Sequence, residues 1–122
     1  MALMYLDFDY SEDADSNGTF DTIASAPAAQ ALALKAEVAL VLGWAHRHWP
    51  GGCAPLEDGG AWHYDLHGVE ETSTPVAFDF DTEGGHLHAT HGAPMPPRTT
   101  VHFTVTGSPA FCAAFRAALV EP

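Results

Sequence analysis

Basic residues are scarce in this sequence, which has 122 residues but only four lysines and arginines in total. Sixteen aspartates and glutamates oppose them, so the formal net charge is −12 with neutral histidine. Such a charge repels the phosphates of nucleic acids and the headgroups of anionic lipids. We therefore expect neither nucleic acid nor a membrane as a partner, whereas cations, basic peptides and other proteins remain possible.

Cysteine and the common catalytic motifs are scarce as well. Cys53 and Cys112 have neither metal-ligand spacing nor a secreted context, which predicts free thiols but leaves a disulfide open. The motifs GxSxG, GxGxxG and CxxC and the P-loop are missing, so nothing indicates acyl transfer, nucleotide binding or thiol redox chemistry. No apolar run reaches the roughly 18 residues of a membrane span. The start, MALMYLDFDY, lacks the basic region of a secretory signal, and we expect a cytoplasmic protein.

Two segments have helical periodicity. The longer runs from Pro27 to Trp49, where Pro27 suits a first helical turn and Pro50-Gly51-Gly52 would end the helix. Its apolar residues recur every three or four positions, at Ala31, Leu34, Val38, Val41 or Leu42, Ala45 and Trp49. The shorter helix is predicted after Ser108-Pro109, a capping hydroxyl followed by a proline. One face of it would carry Phe111, Cys112, Phe115, Ala118 and Leu119.

Five segments alternate apolar and polar residues, which predicts strands over 3–10, 62–67, 76–81, 86–90 and 100–106. The polar stretch 11–25, with Asn17-Gly18 at its centre, is predicted to be a loop. The resulting order, β-α-β-β-β-β-α, predicts a single α+β domain over residues 1–122. We expect a two-layer sandwich in which one long and one short helix cover one face of a mostly antiparallel five-stranded sheet. In element order this arrangement resembles the cystatin-like architecture.

The polar positions of these strands collect many histidines and aspartates on the face opposite the apolar residues. The ten residues of this His/Asp set are Asp7, Asp9, His63, Asp65, His67, Asp79, Asp81, His86, His88 and His102. Cross-strand neighbours lie about 5 Å apart, so such side chains could ligate zinc or act as general bases. The set equally suits an open sheet face, which has to be polar. We predict that this face is exposed to water.

The acidic stretch Asp13 to Asp21 resembles the first nine positions of an EF-hand calcium loop. The predicted metal ligands are Asp13, Asp15, Asn17, Thr19 through its carbonyl, and Asp21. Gly18 stands at the turn position, but Ala24 replaces the bidentate glutamate at position twelve, and a strand rather than a helix precedes the loop. The resemblance implies a weak calcium site. A solvated acidic loop that turns at Asn17-Gly18 is the alternative.

These observations favour a non-catalytic binding or interaction module. It would contact another protein, a second copy of itself, or a divalent cation such as calcium through the acidic loop and the open sheet face. The alternative is a metal-dependent hydrolase that uses the His/Asp set. Such an enzyme would need a concave pocket that excludes water, and a polar sheet with no element above it offers none.

Overall fold

The structure, a computed structural model that describes residues 3–121, confirms the predicted α+β class with two helices and two antiparallel sheets. In chain order the main elements are β1 (Asp9–Glu12), β2 (Gly18–Pro27), α1 (Ala31–His48), β3 (Trp62–Glu71), β4 (Val76–Asp81), β5 (His86–His91), β6 (Arg98–Gly107) and α2 (Pro109–Phe115). Short 3-10 turns precede α1 at Ala28–Gln30 and β3 at Leu56–Asp58. A π-helical turn, Arg116–Val120, continues α2.

The strands form two sheets rather than the single five-stranded sheet that the sequence predicts. The main sheet has the spatial order β1-β2-β6-β3, and β4 pairs with β5 in a separate two-stranded ribbon. The ladder between β3 and β6 ends at the pair Glu71 and Arg98. Beyond it, the prolines interrupt the pairing. Pro75 on one side, and Pro94, Pro96 and Pro97 on the other, have no N–H groups to donate to a continuous ladder. The ribbon is therefore separated from the main sheet.

The strand β2 lies where the sequence predicts a loop. It pairs with β6 along its whole length, and its buried side chains alternate at Phe20, Thr22, Ala24 and Ala26. Threonine and alanine are only weakly apolar, so this period of two is hard to recognise beside Asn17-Gly18. The predicted loop over 11–25 is wrong at both ends, because β1 extends to residue 12 and β2 begins at residue 18.

The first residues of the chain are held by a carboxylate rather than by a strand ladder. Glu37 of α1 accepts hydrogen bonds from the N–H groups of Met4 (3.0 Å), Tyr5 (2.9 Å) and Leu6 (3.0 Å). Because one carboxylate satisfies three successive N–H groups, this segment needs no neighbouring strand. The strand predicted from residue 3 accordingly begins only at Asp9, where β1 pairs with β2.

Both helices pack on the same face of the main sheet, as predicted. The core residues of α1 are Leu34, Val38, Val41, Trp44 and Ala45, and those of α2 and the turn after it are Phe111, Cys112, Phe115 and Leu119. The ring of Trp44 lies 6.0 Å from that of Phe111 and 5.9 Å from that of Phe115. Phe115 in turn contacts Phe20 of β2, with ring centroids 4.4 Å apart. These aromatic contacts join the two helices to each other and to the sheet.

The ends of both helices follow from local chemistry. Because Pro27 is the last residue of β2, α1 begins only at Ala31, after the 3-10 turn. Ser108 caps α2 as predicted, since its hydroxyl oxygen accepts a hydrogen bond from the N–H of Phe111 at 3.3 Å.

Length and composition alone would allow the segment Ala28–His48 to cross a membrane. In the structure, five of its side chains are buried in the core.

The two cysteines are free thiols, which confirms the simpler of the two predictions. Cys112 lies on the buried face of α2, and its thiol donates a hydrogen bond to the carbonyl of Gly107 at 3.4 Å. Burial raises the pKa of this thiol above its usual range. Cys112 is therefore a packing residue rather than a reactive one.

Candidate functional site

The acidic segment forms a tight turn between β1 and β2. The Oδ1 atom of Asp13 accepts hydrogen bonds from the N–H groups of Asp15 (2.9 Å) and Asn17 (3.0 Å). The backbone closes the same turn: Ser16 N–H donates to the Asp13 carbonyl at 3.2 Å, and Asp13 N–H donates to the Asn17 carbonyl at 2.9 Å. Ser16 has a φ of 63°, in the left-handed region. Four hydrogen bonds within the turn thus fix its backbone, and one oxygen of Asp13 is already engaged.

Three of the five predicted calcium ligands lie together, and two do not. Asp13, Asp15 and Asn17 line an open groove of about 580 Å³. Thr19 and Asp21 belong to β2, where their side chains are hydrogen-bonded to residues of β6. An EF-hand loop curls around its ion for twelve residues. Here the chain becomes extended after the first five, so the later oxygens lie along the sheet.

The rest of this groove comes from the segment before β3 and from the main sheet. Its further lining residues are Pro55, Leu56, Glu57, His63 and Thr106. We call this surface the acidic groove, since Asp13, Asp15 and Glu57 line it and neither lysine nor arginine is among its lining residues. Such a concentration of carboxylates attracts cations and basic side chains. Within residues 3–121, however, no group of three His, Cys, Asp or Glu side chains is placed to hold a metal ion.

The predicted exposure of the His/Asp set is confirmed, because none of its ten residues is buried. The set nevertheless does not form one site. Its members on the outer face of the main sheet are His63, Asp65, His67 and His102, and its members on the ribbon are Asp79, Asp81, His86 and His88. The remaining two lie near the N-terminus, in or just before β1. Separation of the ribbon from the main sheet therefore divides the histidines and aspartates.

An aspartate that the sequence places in a loop belongs to the outer face of the main sheet. Asp21 Oδ1 lies 2.8 Å from His102 Nε2 and accepts a hydrogen bond from the Thr104 hydroxyl at 2.6 Å. These two hydrogen bonds, that from Thr104 first, lower the pKa of the Asp21 carboxyl below its usual range. The period of two in β2 is the signal that could have placed Asp21 here.

A second histidine lies beside this pair. The ring centroid of His67 is 5.0 Å from that of His102, in an edge-to-face arrangement, and His67 Nδ1 is 3.5 Å from Asp65 Oδ2. A carboxylate that orients an imidazole is the arrangement of many general bases. Here the side chain of Asp21 is 46% exposed and that of His102 is 37% exposed. Neither group has the water-excluded surroundings of a typical active site.

The ribbon carries the most conspicuous exposed apolar surface. Phe78 is paired with Ala89 and Phe80 with Leu87, so the four side chains share one face of the ribbon, which Val76 extends. Phe78 is 66%, Phe80 57% and Leu87 64% exposed. The sequence predicts these residues to lie under the helices; that prediction is wrong because the ribbon is detached. We call this surface the apolar ribbon face.

The opposite face of the ribbon is polar. Asp79 lies across from His88, and Asp81 lies across from His86, so each aspartate has a histidine as its direct cross-strand neighbour. The ribbon is therefore amphipathic although neither of its faces is covered by the rest of the described chain.

Comparisons with protein-family models, with curated proteins and with solved structures find no match to this chain.

Proposed function

We propose that this protein is a non-catalytic interaction module that binds a partner protein through the apolar ribbon face. The observation that carries the proposal is the exposure of Phe78, Phe80 and Leu87 on a ribbon that packs against neither α1 nor α2. A two-stranded ribbon is only marginally stable in water. Apolar side chains at these positions gain nothing from the protein's own core, and contiguous exposed apolar surfaces typically mark binding sites.

The chemistry of the ribbon suits a protein partner. Aromatic side chains such as Phe78 and Phe80 are enriched at the centres of protein interfaces. Fully burying each one would contribute about 1.5–3 kcal/mol. The polar face, with Asp79 and Asp81, would stay in water and keep the bound ribbon soluble. One face therefore serves for binding and the other for solvation.

Site-specific photo-crosslinking tests this proposal. A photo-crosslinking amino acid is introduced at Leu87, on the apolar ribbon face, or at His88, on the polar face, in cells that express the protein naturally. We expect the Leu87 position to give crosslinks to one defined partner and the His88 position to give few. Equal crosslinking from both positions, or none from either, would overturn the proposal.

The affinity for that partner should then depend on the two phenylalanines. We expect Phe78→Ser combined with Phe80→Ser to weaken binding at least about tenfold, since tenfold corresponds to only 1.4 kcal/mol. The matched control, Asp79→Ser combined with Asp81→Ser, changes the same strand on its other face. It should change the dissociation constant less than about threefold.

A second candidate function is weak calcium binding in the acidic groove. It is favoured by the position of Asp13 and Asp15 in one groove with Glu57, which adds a third carboxylate from outside the acidic turn, although the three side chains are not placed in this structure to hold an ion together. We expect a dissociation constant of roughly 10⁻⁴ to 10⁻³ M. Calcium at about 100 times that value would stabilise the fold by about 2.7 kcal/mol, or roughly 10 °C in melting temperature.

Thermal denaturation with calcium or magnesium, at matched ionic strength, tests this second candidate. Magnesium should have less effect, because it prefers a tighter octahedron and retains its water. Asp15→Ala should abolish the difference between the two ions, whereas Asp79→Ala on the ribbon should leave it intact. A melting temperature that does not respond to calcium at tens of millimolar would contradict calcium binding.

The metal-dependent hydrolase receives less support. Its predicted ligands would come from the His/Asp set, and the structure divides that set between the main sheet and the ribbon. The outer face around His102 is also open to solvent.

A further inference from the structure

The strand β3 forms an edge of the main sheet whose outward backbone groups are largely unpaired. At its start, Trp62 N–H donates to the Gly52 carbonyl at 3.2 Å, and the Trp62 carbonyl accepts from Ala54 N–H at 3.0 Å. These hydrogen bonds lie on the side of β3 away from β6. Because strand backbone alternates with a period of two, further N–H and C=O groups also point outward, at Tyr64, Leu66, Gly68 and Glu70. Within residues 3–121 nothing pairs with them.

Apart from its carboxylates, this edge lacks the usual protection against strand addition. Natural edge strands are commonly short or bulged, or are blocked by proline or by charged side chains, especially lysine. Here β3 has ten residues, contains neither lysine nor proline, and keeps an unbroken register with β6 from Trp62 to Glu71. Residues 65–71 are all exposed. The other edge strand, β1, has only four residues and is a much shorter template.

We propose that the β3 edge binds an extended peptide segment with basic side chains, contributed by a partner protein, as an additional strand of the main sheet. The added strand would hydrogen-bond to Tyr64, Leu66, Gly68 and Glu70. This inference concerns a different surface from the apolar ribbon face and does not depend on it.

The negative charge along the β3 edge is the reason for proposing a peptide with basic side chains. Asp65, on the outer face of β3, and Glu70-Glu71, at its end, are exposed carboxylates along the edge. His63, one residue before the unpaired edge begins, lines the acidic groove with its three carboxylates. Outward side chains of an added strand would therefore lie beside Asp65 and reach the acidic groove near His63. Opposite charges across a strand pair stabilise it, and like charges destabilise it.

A second copy of the chain fits this edge less well. Antiparallel pairing of two β3 strands would be favoured in the register that brings Asp65 opposite His67 of the second copy. In that register Trp62 would lie opposite Glu70 of the second copy. That position is already taken by Cys53, which pairs with Trp62 in an isolated bridge. A shorter peptide that begins beside Tyr64 avoids this overlap.

A synthetic heptapeptide in which valine and lysine alternate, acetylated and amidated at its ends, provides the probe. Amide hydrogen exchange by NMR on the full chain gives a residue-level readout. We expect the peptide to protect the amides of Tyr64, Leu66, Gly68 and Glu70, which are unpaired in the free protein. The amides of His63, Asp65, His67 and Val69 are already paired with β6 and should change little. Unchanged exchange at Leu66 and Gly68 at millimolar peptide would overturn the proposal.

Backbone methylation of the peptide sharpens the test. Directly paired residues have side chains on the same face, and Tyr64 and Leu66 have the inward parity of β3. If the peptide runs antiparallel to β3, as the neighbouring strands of the main sheet do, and its lysines lie on the acidic outer face, it would bond to β3 through its valine N–H groups. Methylating those groups should abolish binding, while methylating the lysine N–H groups should be tolerated. Equal binding of the two methylated peptides would contradict strand addition.

Charge variants test the choice of a basic peptide. Asp13→Asn, Asp15→Asn and Glu57→Gln together remove three charges from the acidic groove, changing the formal charge from −12 to −12 + 3 = −9. We expect binding to weaken roughly tenfold. Asp79→Asn, Asp81→Asn and Glu83→Gln make the same total change on the ribbon and its turn, and should weaken binding less than about twofold. Equal weakening by the two sets would contradict recognition at the groove.

The hydrogen-exchange experiment also tests self-association. If the β3 edge becomes more protected as the protein concentration rises, without any peptide, the edge binds a second copy of the chain and the proposal is wrong.

Discussion

At the scale of single residues, Asp21 shows how position in a sheet changes the chemistry of a carboxylate. It accepts hydrogen bonds from Thr104 and His102, both of which lie on the neighbouring strand β6. These contacts favour the ionised form and lower the pKa of the Asp21 carboxyl. The folded state therefore holds the proton on Asp21 less tightly than the unfolded chain does.

This difference makes the contribution of Asp21 to stability depend on pH. It should be complete above the unfolded pKa of about 3.9 and should be lost as the pH falls through the lower folded pKa. We expect Asp21→Asn to destabilise the protein at pH 5 and above by at most about 1 kcal/mol, because the group is half exposed. Urea denaturation between pH 3 and 7 measures the difference, which should shrink below about pH 4. Asp79→Asn, on the ribbon, is the control; a pH-independent difference for Asp21→Asn would refute the linkage.

At the scale of elements, Glu37 connects the N-terminal segment to α1. Its carboxylate accepts three backbone N–H groups, so we expect Glu37→Ala to destabilise the fold by about 2 kcal/mol. Glu37→Gln keeps one oxygen acceptor but loses the charge, and should fall between wild type and alanine. Chemical denaturation measures these differences. Lys35→Ala, on the exposed side of the same helix, should stay within about 0.5 kcal/mol. A comparable loss for Lys35→Ala would show that the effect is not specific to the Glu37 carboxylate.

The ribbon is an element that the rest of the fold does not require. The last pair between β3 and β6 is Glu71 with Arg98, which an Asn-Gly turn can join directly. We expect replacement of residues 72–97 by Asn-Gly to change the free energy of unfolding of the remaining protein by less than about 1 kcal/mol. Circular dichroism and urea denaturation test this expectation. Loss of the cooperative transition would show that the ribbon packs on the main sheet.

At the scale of the whole molecule, the excess of carboxylates controls solubility. Protonation of all eight histidines would change the formal charge from −12 to −12 + 8 = −4. The sequence isoelectric point is about 4.7, so we expect solubility to fall as the pH decreases toward 5. Precipitation assays between pH 4.5 and 8 measure the trend. A solubility minimum above pH 7 would mean that the exposed charge differs from the composition.

Local sequence patterns determined those features that depend on neighbours along the chain. Leu34, Val38 and Val41 follow the helical period and face the core, as predicted, and Ser108 caps α2. The alternation in the strands also placed the His/Asp set in water correctly. These features required no information about distant partners, because helical faces, caps and strand faces arise within a few residues.

The tertiary structure alone decided which strands pair and what each surface is next to. The pairing of β2 with β6 moved Asp21 from a predicted loop to the outer face, away from Asp13 and Asp15. Likewise, Phe78 and Phe80 alternate with polar residues in the same way whether the hairpin packs against the core or is separate from it. The difference depends on prolines that interrupt the ladder and on hydrogen bonds between residues far apart in sequence. Local alternation shows that a strand has two different faces, but only long-range pairing decides what each face contacts.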